Sequence, residues 1–331
     1  MATRRPRINL ILDFDGTMTR EDTTSIIGSR VLAKARELAQ PGVAEDKLPK
    51  PMQFYSERYM DDYRRWKDSH PCPVKERWSV EDEVAYLSQS KLVEQESFLR
   101  VREAVLRTPG RVAELERDDA VRDEFMMEAG RDSVRGGEVQ IREAEILEKM
   151  IALAEQDGNE WSVVSVSWSR RFILGALLEA GVLHPGRMDE VVKRVYCNEL
   201  LAPLPLDKNG EPEITCTAKD KQDVLSGLLA NWKHDSDNIP IYVGDSTTDI
   251  GCLLGPAIGM YLTSGKAEDA VLQTFAQLNV ESTRIEDLPT EDAPRKLLEM
   301  RGKLEAQGKP GHIVCTITSL EQLYTWLTSL Q

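Results

Sequence analysis

Four short clusters collect residue types able to do chemistry on a phosphate: Asp13-Phe14-Asp15-Gly16-Thr17, Ser165-Val166-Ser167, Lys219-Asp220-Lys221 and Gly244-Asp245-Ser246-Thr247-Thr248-Asp249. Attack on phosphorus needs an oxygen nucleophile, and a second group that protonates the leaving oxygen and later deprotonates water. Asp13 and Asp15, two positions apart, can divide those roles. Gly16 lets the chain turn away sharply, and Thr17 can hydrogen-bond the phosphate or cap the turn. Two anions meeting repel, so such a site requires a hard divalent cation held by oxygens, for which magnesium (Mg2+) is the obvious candidate. Asp245 would reach that cation, while Asp249 either binds it or orients Asp245. The phosphate needs donors. The Ser165 hydroxyl and the adjoining backbone N–H groups, that of Val166 among them, would form an anion nest if a helix begins near Ser167-Trp168. Lys221 would add a fixed positive charge, with Lys219 as the fallback.

Each cluster lies where a strand or helix can hold it. Ile8 to Leu12 is a short, nearly all-apolar run, as expected of a parallel strand covered on both faces, and it ends at Asp13. Trp161 to Val166 and Ile239 to Val243 have the same character, and each also runs into a polar cluster. Helical patterns follow at Arg171 to Ala180 and Asp249 to Leu254. His312 to Ile317 is a fourth strand candidate, leading into a closing helix from Ser319, the expected N-cap, to Leu330. Buried strands with polar residues at their C-terminal ends describe an α/β, doubly wound parallel sheet that binds its ligand outside those ends. Val195 to Cys216, with Asp207-Lys208-Asn209-Gly210 in the middle, is expected to be a hairpin or flap. The gap between Asp13 and Ser165 far exceeds an ordinary strand-to-helix connection, so an inserted domain is expected there. Helical periodicity in Ile26 to Leu38, Phe54 to Trp66, Val80 to Leu106 and Val139 to Leu153 makes that insertion helical. The expected division is a core of residues 1–24 and 149–331 and a helical cap of residues 25–148.

Composition narrows the partners. A net charge of −14 in 331 residues argues against a protein built to hold nucleic acid or an anionic membrane. No apolar run is long enough for a membrane helix or a secretory signal, and acidic residues arrive too early for a good mitochondrial transit peptide. The five cysteines show no C-x-x-C pair and fit a reducing compartment without disulfides, so a cytoplasmic location is expected. His70, His184, His234 and His312 have no ligand spacing and are expected to be surface or structural residues.

The ordered set DFDGT, strand-Ser, Lys and GDSTTD resembles the four motifs of the haloacid dehalogenase (HAD) superfamily, spread over almost the whole core. The resemblance implies a Rossmann-like core and a phosphatase working through a phospho-aspartyl intermediate. Asp13 would accept the phosphoryl group, and Asp15 would be the acid/base that also gives its backbone carbonyl to magnesium. Asp245 would ligate the metal, and Ser165 and Lys221 would bind the phosphoryl group. The insertion is similar to the cap of the phosphoserine-phosphatase-like branch. An acidic residue nine positions after the nucleophile faces substrate in that branch, which here is Asp22; Asp22 could equally cap the helix starting near Thr23-Thr24-Ser25. VVSVSWSRRFI, YVGDSTTDIGCLLGPAIGM and HIVCTITSLEQLYTWL are similar to the HAD domain of plant thiamine monophosphate phosphatases and related fungal proteins. A phosphorylated small molecule is thus the expected partner. The alternatives are a phosphatase of prenyl phosphates or diphosphates and a non-catalytic binding protein on the same fold. Prenyl cyclases of this kind carry an extra DxDTT, whose first Asp is missing from Arg20-Glu21-Asp22-Thr23-Thr24.

Overall fold

The computed structural model describes residues 7–72, 76–156, 159–232, 238–255, 257–265, 269–288, 293–306 and 311–330. The basic start of the chain, Pro73 and His234 lie outside the described residues.

Among the described residues seven strands form one sheet: β1 (Arg7–Leu12), β2 (Glu160–Val164), β3 (Val195–Tyr196), β4 (Asn238–Gly244), β5 (Ile258–Leu262), β6 (Ser282–Arg284) and β7 (Val314–Ile317). Their order is β3-β2-β1-β4-β5-β7-β6, and every pair is parallel. Helices fill the connections: α1 (Thr24–Glu37), α2 (Met52–Ser69), α3 (Val80–Ser88), α4 (Lys91–Leu106), α5 (Ala113–Arg117), α6 (Asp119–Arg135), α7 (Ala144–Leu153), α8 (Arg170–Glu179), α9 (Met188–Val191), α10 (Ala218–Trp232), α11 (Ile250–Leu253), α12 (Ala270–Gln277), α13 (Ala293–Ala306) and α14 (Leu320–Ser329).

The uninterrupted apolar character of the strands follows from the layering. Ile8, Leu10 and Leu12 of β1 share a core with Ile239, Ile241 and Val243 of β4, covered by α7, α8 and α14. Ile11 and Tyr242 point the other way, into a core shared with α10, α11 and α12. Alternate residues of one strand thus reach two buried faces, which makes the sheet doubly wound as expected.

From β1 the chain builds outward through β2 to β3, then returns to place β4 on the other side of β1. The direction of winding therefore reverses between β1 and β4, and the crevice past their C-terminal ends is the place where such sheets bind ligands. Asp13 follows β1 there, its N–H still bonded to the Val243 carbonyl at 2.9 Å.

Between β1 and α7 the described chain contains helices and no strand. α1, α2, α4 and α6 pack around Ile27, Val31, Phe98 and Val101, and this cluster also takes in Trp168 and Phe172 from around the start of α8. Gly130 of α6 lies against the Phe172 carbonyl and Gly175 of α8 against that of Met127, so a side chain at either position would force these two helices apart. α3 turns to the sheet instead, where Val80 and Val84 join the core of α10 and α11. The two chain passages into and out of the insertion run side by side: the Arg20 N–H bonds the Gln140 carbonyl at 3.0 Å and the Arg142 N–H that of Met18 at 2.8 Å.

Several expected elements have different limits. Val80 to Leu106 is two helices broken at Gln89-Ser90, and only Ala144 onward of Val139 to Leu153 is helical. The hairpin expected from Val195 to Cys216 is instead a sheet strand, β3, followed by a loop. Its tight turn does form, with the Gly210 N–H on the Asp207 carbonyl and Gly210 at φ +83°, but only Leu206 and Pro212 pair across it. β5, β6, α5, α6, α9, α10, α12 and α13 were not among the elements expected. The closing helix begins as expected, the Ser319 hydroxyl accepting the Gln322 N–H.

Candidate functional site

The centre of the site is a buried lysine. Lys221 lies in the first turns of α10, fully buried, and its ammonium donates to Asp13 Oδ1 and Asp249 Oδ1, each at 2.7 Å. Lys219 is exposed and pairs with Asp223. Two positions on a helix stand about 200° apart, so only one of these lysines can face the sheet. Among the described residues, Asp13, Asp245 and Asp249 each offer a carboxylate oxygen within 4.8 Å of the others.

Asp249 is held from all sides. Oδ1 accepts the Tyr242 hydroxyl at 2.6 Å as well as Lys221, and Oδ2 accepts the N–H groups of Asp245 and Ser246 and the Ser246 hydroxyl. Lys221 and these donors keep its pKa below the usual carboxylate value against the effect of burial. With its lone pairs so engaged, it orients the Asp245 loop and Lys221 more readily than it reaches a cation. Asp245 Oδ1 accepts the Thr17 hydroxyl at 2.7 Å. Thr17 therefore serves a carboxylate, where a phosphate contact or a turn cap was expected.

Two glycines make room for these carboxylates. Gly16 has φ +80°, and a Cβ there would collide with the Asp245 carboxylate; one at Gly244 would meet that of Asp249. Arg142, at the exit of the insertion, donates to the Gly16 carbonyl at 2.9 Å and the Thr17 carbonyl at 3.2 Å, clamping the turn after Asp13.

The charges do not balance. Burial, then the charges of Asp249, pushes Asp245 up to about 6. Burial likewise raises Asp13, with Lys221 opposing it and the neighbouring carboxylates adding to it. One ammonium serves three clustered carboxylates, and Arg142 only softens the deficit at Asp245. An oxygen-only donor set short of positive charge fits a hard divalent cation.

Asp15 stands apart from this cluster. Its Oδ1 accepts the Thr23 N–H at 2.8 Å and the Thr23 hydroxyl at 2.6 Å, while Oδ2 is buried with no hydrogen-bonding partner among the described residues. Burial, then the charge of Asp22, raises it to about 7.

Ser165 is fully buried at the end of β2, and its hydroxyl accepts the Ser167 N–H at 3.0 Å. The helix expected near Ser167-Trp168 starts later, at Arg170. Ser169 is its N-cap and accepts the Phe172 N–H, so the helix end does not adjoin Ser165. The Val166 carbonyl accepts Asn198 Nδ2. His70 stacks on Trp66, His184 lies near Glu148, and His312 is half-buried away from the cluster. The five cysteines are free.

Beside these residues a cavity of about 390 Å3 opens under the inserted helices. Val166, Thr248 and Asp22 line its core side, and Tyr59, Glu94 and Phe98 its helical side. Asp22 lines the cavity, and its Oδ1 accepts the Thr24 N–H at the start of α1, whose N-cap is Thr23. Sequence reasoning missed Tyr242, Thr23, Arg142, Tyr59 and Glu94. A tyrosine in an otherwise aliphatic strand was the one signal available, at Tyr242.

No family model matches the chain, and no curated protein matches it. Among solved structures it is similar to a phosphoserine phosphohydrolase-like protein from Francisella tularensis subsp. tularensis SCHU S4, at 12% identity and a TM-score of 0.39, covering 82% of this chain and 97% of that one. A substrate-bound phosphoserine phosphatase matches at 12% identity and a TM-score of 0.32, over 78% and 86% of the two chains. A conserved protein of unknown function from Anaerococcus prevotii DSM 20548 matches at 11% and 0.41, over 83% and 84%. None of these likenesses bears on the chemistry of the cluster. Among the described residues no helix is long and apolar enough to cross a membrane.

Proposed function

We propose that the chain is a magnesium-dependent phosphatase of the HAD type that hydrolyses the phosphate monoester of a small metabolite through Asp13. The observation that carries this reading is the meeting of Asp13, Asp245 and Asp249 around Lys221 at the switch point of the sheet. Asp13 and Asp245, with the Asp15 backbone carbonyl that the motif implies, would hold the cation. When bound, magnesium screens the anions from one another and polarises the phosphoryl oxygens.

The steps fall to the protein's own groups. Lys221 holds Asp13 by one oxygen, leaving the other to attack phosphorus. As that bond forms, the bond to the leaving oxygen breaks, and Asp15 delivers its proton there. A carboxyl raised to about 7 still carries a proton near neutrality. Asp15, now ionised, takes a proton from water as that water attacks the phospho-aspartate. Asp13 and inorganic phosphate are released and Asp15 is protonated again. Lys221 and the Ser165–Val166 turn are the groups we assign to the phosphoryl oxygens.

The substrate sits under a helical cap, residues 25–148, that works on a core of residues 1–24 and 149–331. The sequence likeness to thiamine monophosphate phosphatases places thiamine monophosphate in the substrate panel, and prenyl phosphates belong there too, although carboxylates in the cavity suit a long apolar chain poorly. The discriminating assay is hydrolysis of p-nitrophenyl phosphate with magnesium. Turnover is expected, and complete inactivity would leave only a non-catalytic binding role.

A further inference from the structure

The turn after β2 is held by a side chain from beyond β3. Asn198, buried two residues past the end of that strand, donates through Nδ2 to the carbonyls of Val166 at 3.0 Å, Ser167 at 3.2 Å and Thr215 at 2.8 Å. Its Oδ1 accepts the Thr215 N–H at 2.8 Å. The Asn198 N–H bonds the Ser167 carbonyl at 3.1 Å and the Ser165 N–H bonds that of Tyr196 at 3.0 Å, so the chain leaving β2 runs beside the chain leaving β3. The two bonds to Thr215 fix which way the amide faces. With Oδ1 engaged by an N–H, Nδ2 is the group turned to the carbonyls of the turn. Asn198 also lines the cavity under the insertion, but both its amide protons are engaged within the protein, which leaves it no donor for a ligand.

The consequence falls on Ser165. No peptide bond is cis among the described residues, and in a planar trans peptide the C=O and N–H point opposite ways. Holding the Val166 carbonyl toward Asn198 therefore turns the Ser167 N–H in the other direction, where it meets the Ser165 hydroxyl oxygen at 3.0 Å. That oxygen accepts, so its own proton must be placed elsewhere, and among the described residues the proton meets no acceptor. In a fully buried hydroxyl an unused donor is a cost that a bound acceptor removes.

We infer that Asn198 is a positioning residue acting through Ser165 and, resting on the phosphatase reading, that it makes this hydroxyl a fixed donor to a phosphoryl oxygen. The contacts run from Thr215 through the Asn198 amide and the Val166–Ser167 peptide to Ser165 Oγ. Without Asn198 that peptide is free to rotate, its N–H leaves Oγ, and the hydroxyl proton loses its direction. Asn198 lies outside all four motif clusters.

A double-mutant cycle on phosphate affinity is the test. Binding of inorganic phosphate with magnesium present is measured calorimetrically on the full chain for wild type, Asn198→Ala, Ser165→Ala and the double variant. Circular dichroism checks the fold, and hydrolysis of p-nitrophenyl phosphate is followed alongside. Asn198→Ala is expected to weaken phosphate roughly tenfold in the otherwise wild-type chain, as for a lost hydrogen bond to a charged group, and no more than about twofold in the Ser165→Ala background. Asn198→Ser, a milder truncation, takes its place in the cycle if Asn198→Ala does not fold. A residue that merely holds the loop would leave phosphate affinity unchanged, or weaken it equally in the two backgrounds. Either result overturns the inference, and turnover by wild type would then leave the phosphatase reading standing. Wild type that neither binds phosphate nor hydrolyses p-nitrophenyl phosphate overturns both.

Discussion

The carboxylate cluster at the strand ends and the cavity beneath the inserted helices are neighbours built in opposite ways. In the cluster the anchors are held by several partners: Asp249 by Lys221, Tyr242 and Ser246, and Lys221 by both Asp13 and Asp249. In the cavity, Asp22 and Glu94 each have, among the described residues, a single hydrogen-bonding partner and a second oxygen that accepts no hydrogen bond. Fixed dipoles and charges suit a reaction whose charge development is always the same. Loosely held carboxylates suit recognition, where the ligand supplies the missing partner. The difference suggests a division of labour, and changes in one region should leave a signature distinct from changes in the other.

The largest effect is expected at Asp13. Asp13→Asn should lower turnover by roughly 10³-fold or more with every substrate while the circular dichroism spectrum is unchanged; retained turnover would remove the cluster from the chemistry. Chelation by EDTA should reduce activity to background, and added magnesium should restore it.

Lys221→Met leaves Asp13 and Asp249 buried without their ammonium, a change that costs about 3–5 kcal/mol for a buried pair losing one partner. Urea unfolding is the measurement, and a variant as stable as wild type would show that the lysine does not anchor the cluster. Gly16→Ala strains a residue at φ +80° and drives a Cβ into the Asp245 carboxylate. Roughly a 10²-fold loss of kcat is expected, through displacement of a site that tolerates little movement.

The smallest effect belongs to the cavity. Burial, then the charge of Asp22, raises Glu94 to about 7, with the Tyr59 hydroxyl opposing. Below that pH Glu94 is neutral; above it the carboxylate is charged. The KM for p-nitrophenyl phosphate, whose anion the charged Glu94 repels, should therefore rise several-fold as pH increases through about 7, and less in Glu94→Gln. Tyr59, Tyr63 and Cys216 face the same group, but burial raises all three above their ordinary values, which keeps them neutral over this range.

What was legible in the sequence follows the same line. Asp13, Ser165 and Asp245 sit at the ends of apolar strands, so local pattern alone placed them on one edge of the sheet. The choice between Lys219 and Lys221 depended on where α10 begins, which the pattern left open. β6, with its exposed Ser282 and Arg284, has no apolar run to mark it, and β3 is only two residues long, drawn into the sheet by β2. Arg142 and Glu94 are long-range partners: one reaches back to Gly16 across the whole insertion, and the other faces Asp22 only because α2 and α4 pack on α1. Periodicity marks such helices as amphipathic but carries no record of which neighbour each face will meet.

The central claim is covalent chemistry at Asp13, and it can be observed directly. Asp15→Asn should still accept a phosphoryl group from p-nitrophenyl phosphate, whose leaving group needs no proton, yet should activate water poorly. Acid quenching followed by peptide mass spectrometry should then find a phosphoryl adduct on the peptide containing Asp13, and none in the Asp13→Asn/Asp15→Asn double variant. Turnover by wild type with no adduct at Asp13 in Asp15→Asn, or an equal adduct in the double variant, would contradict the account.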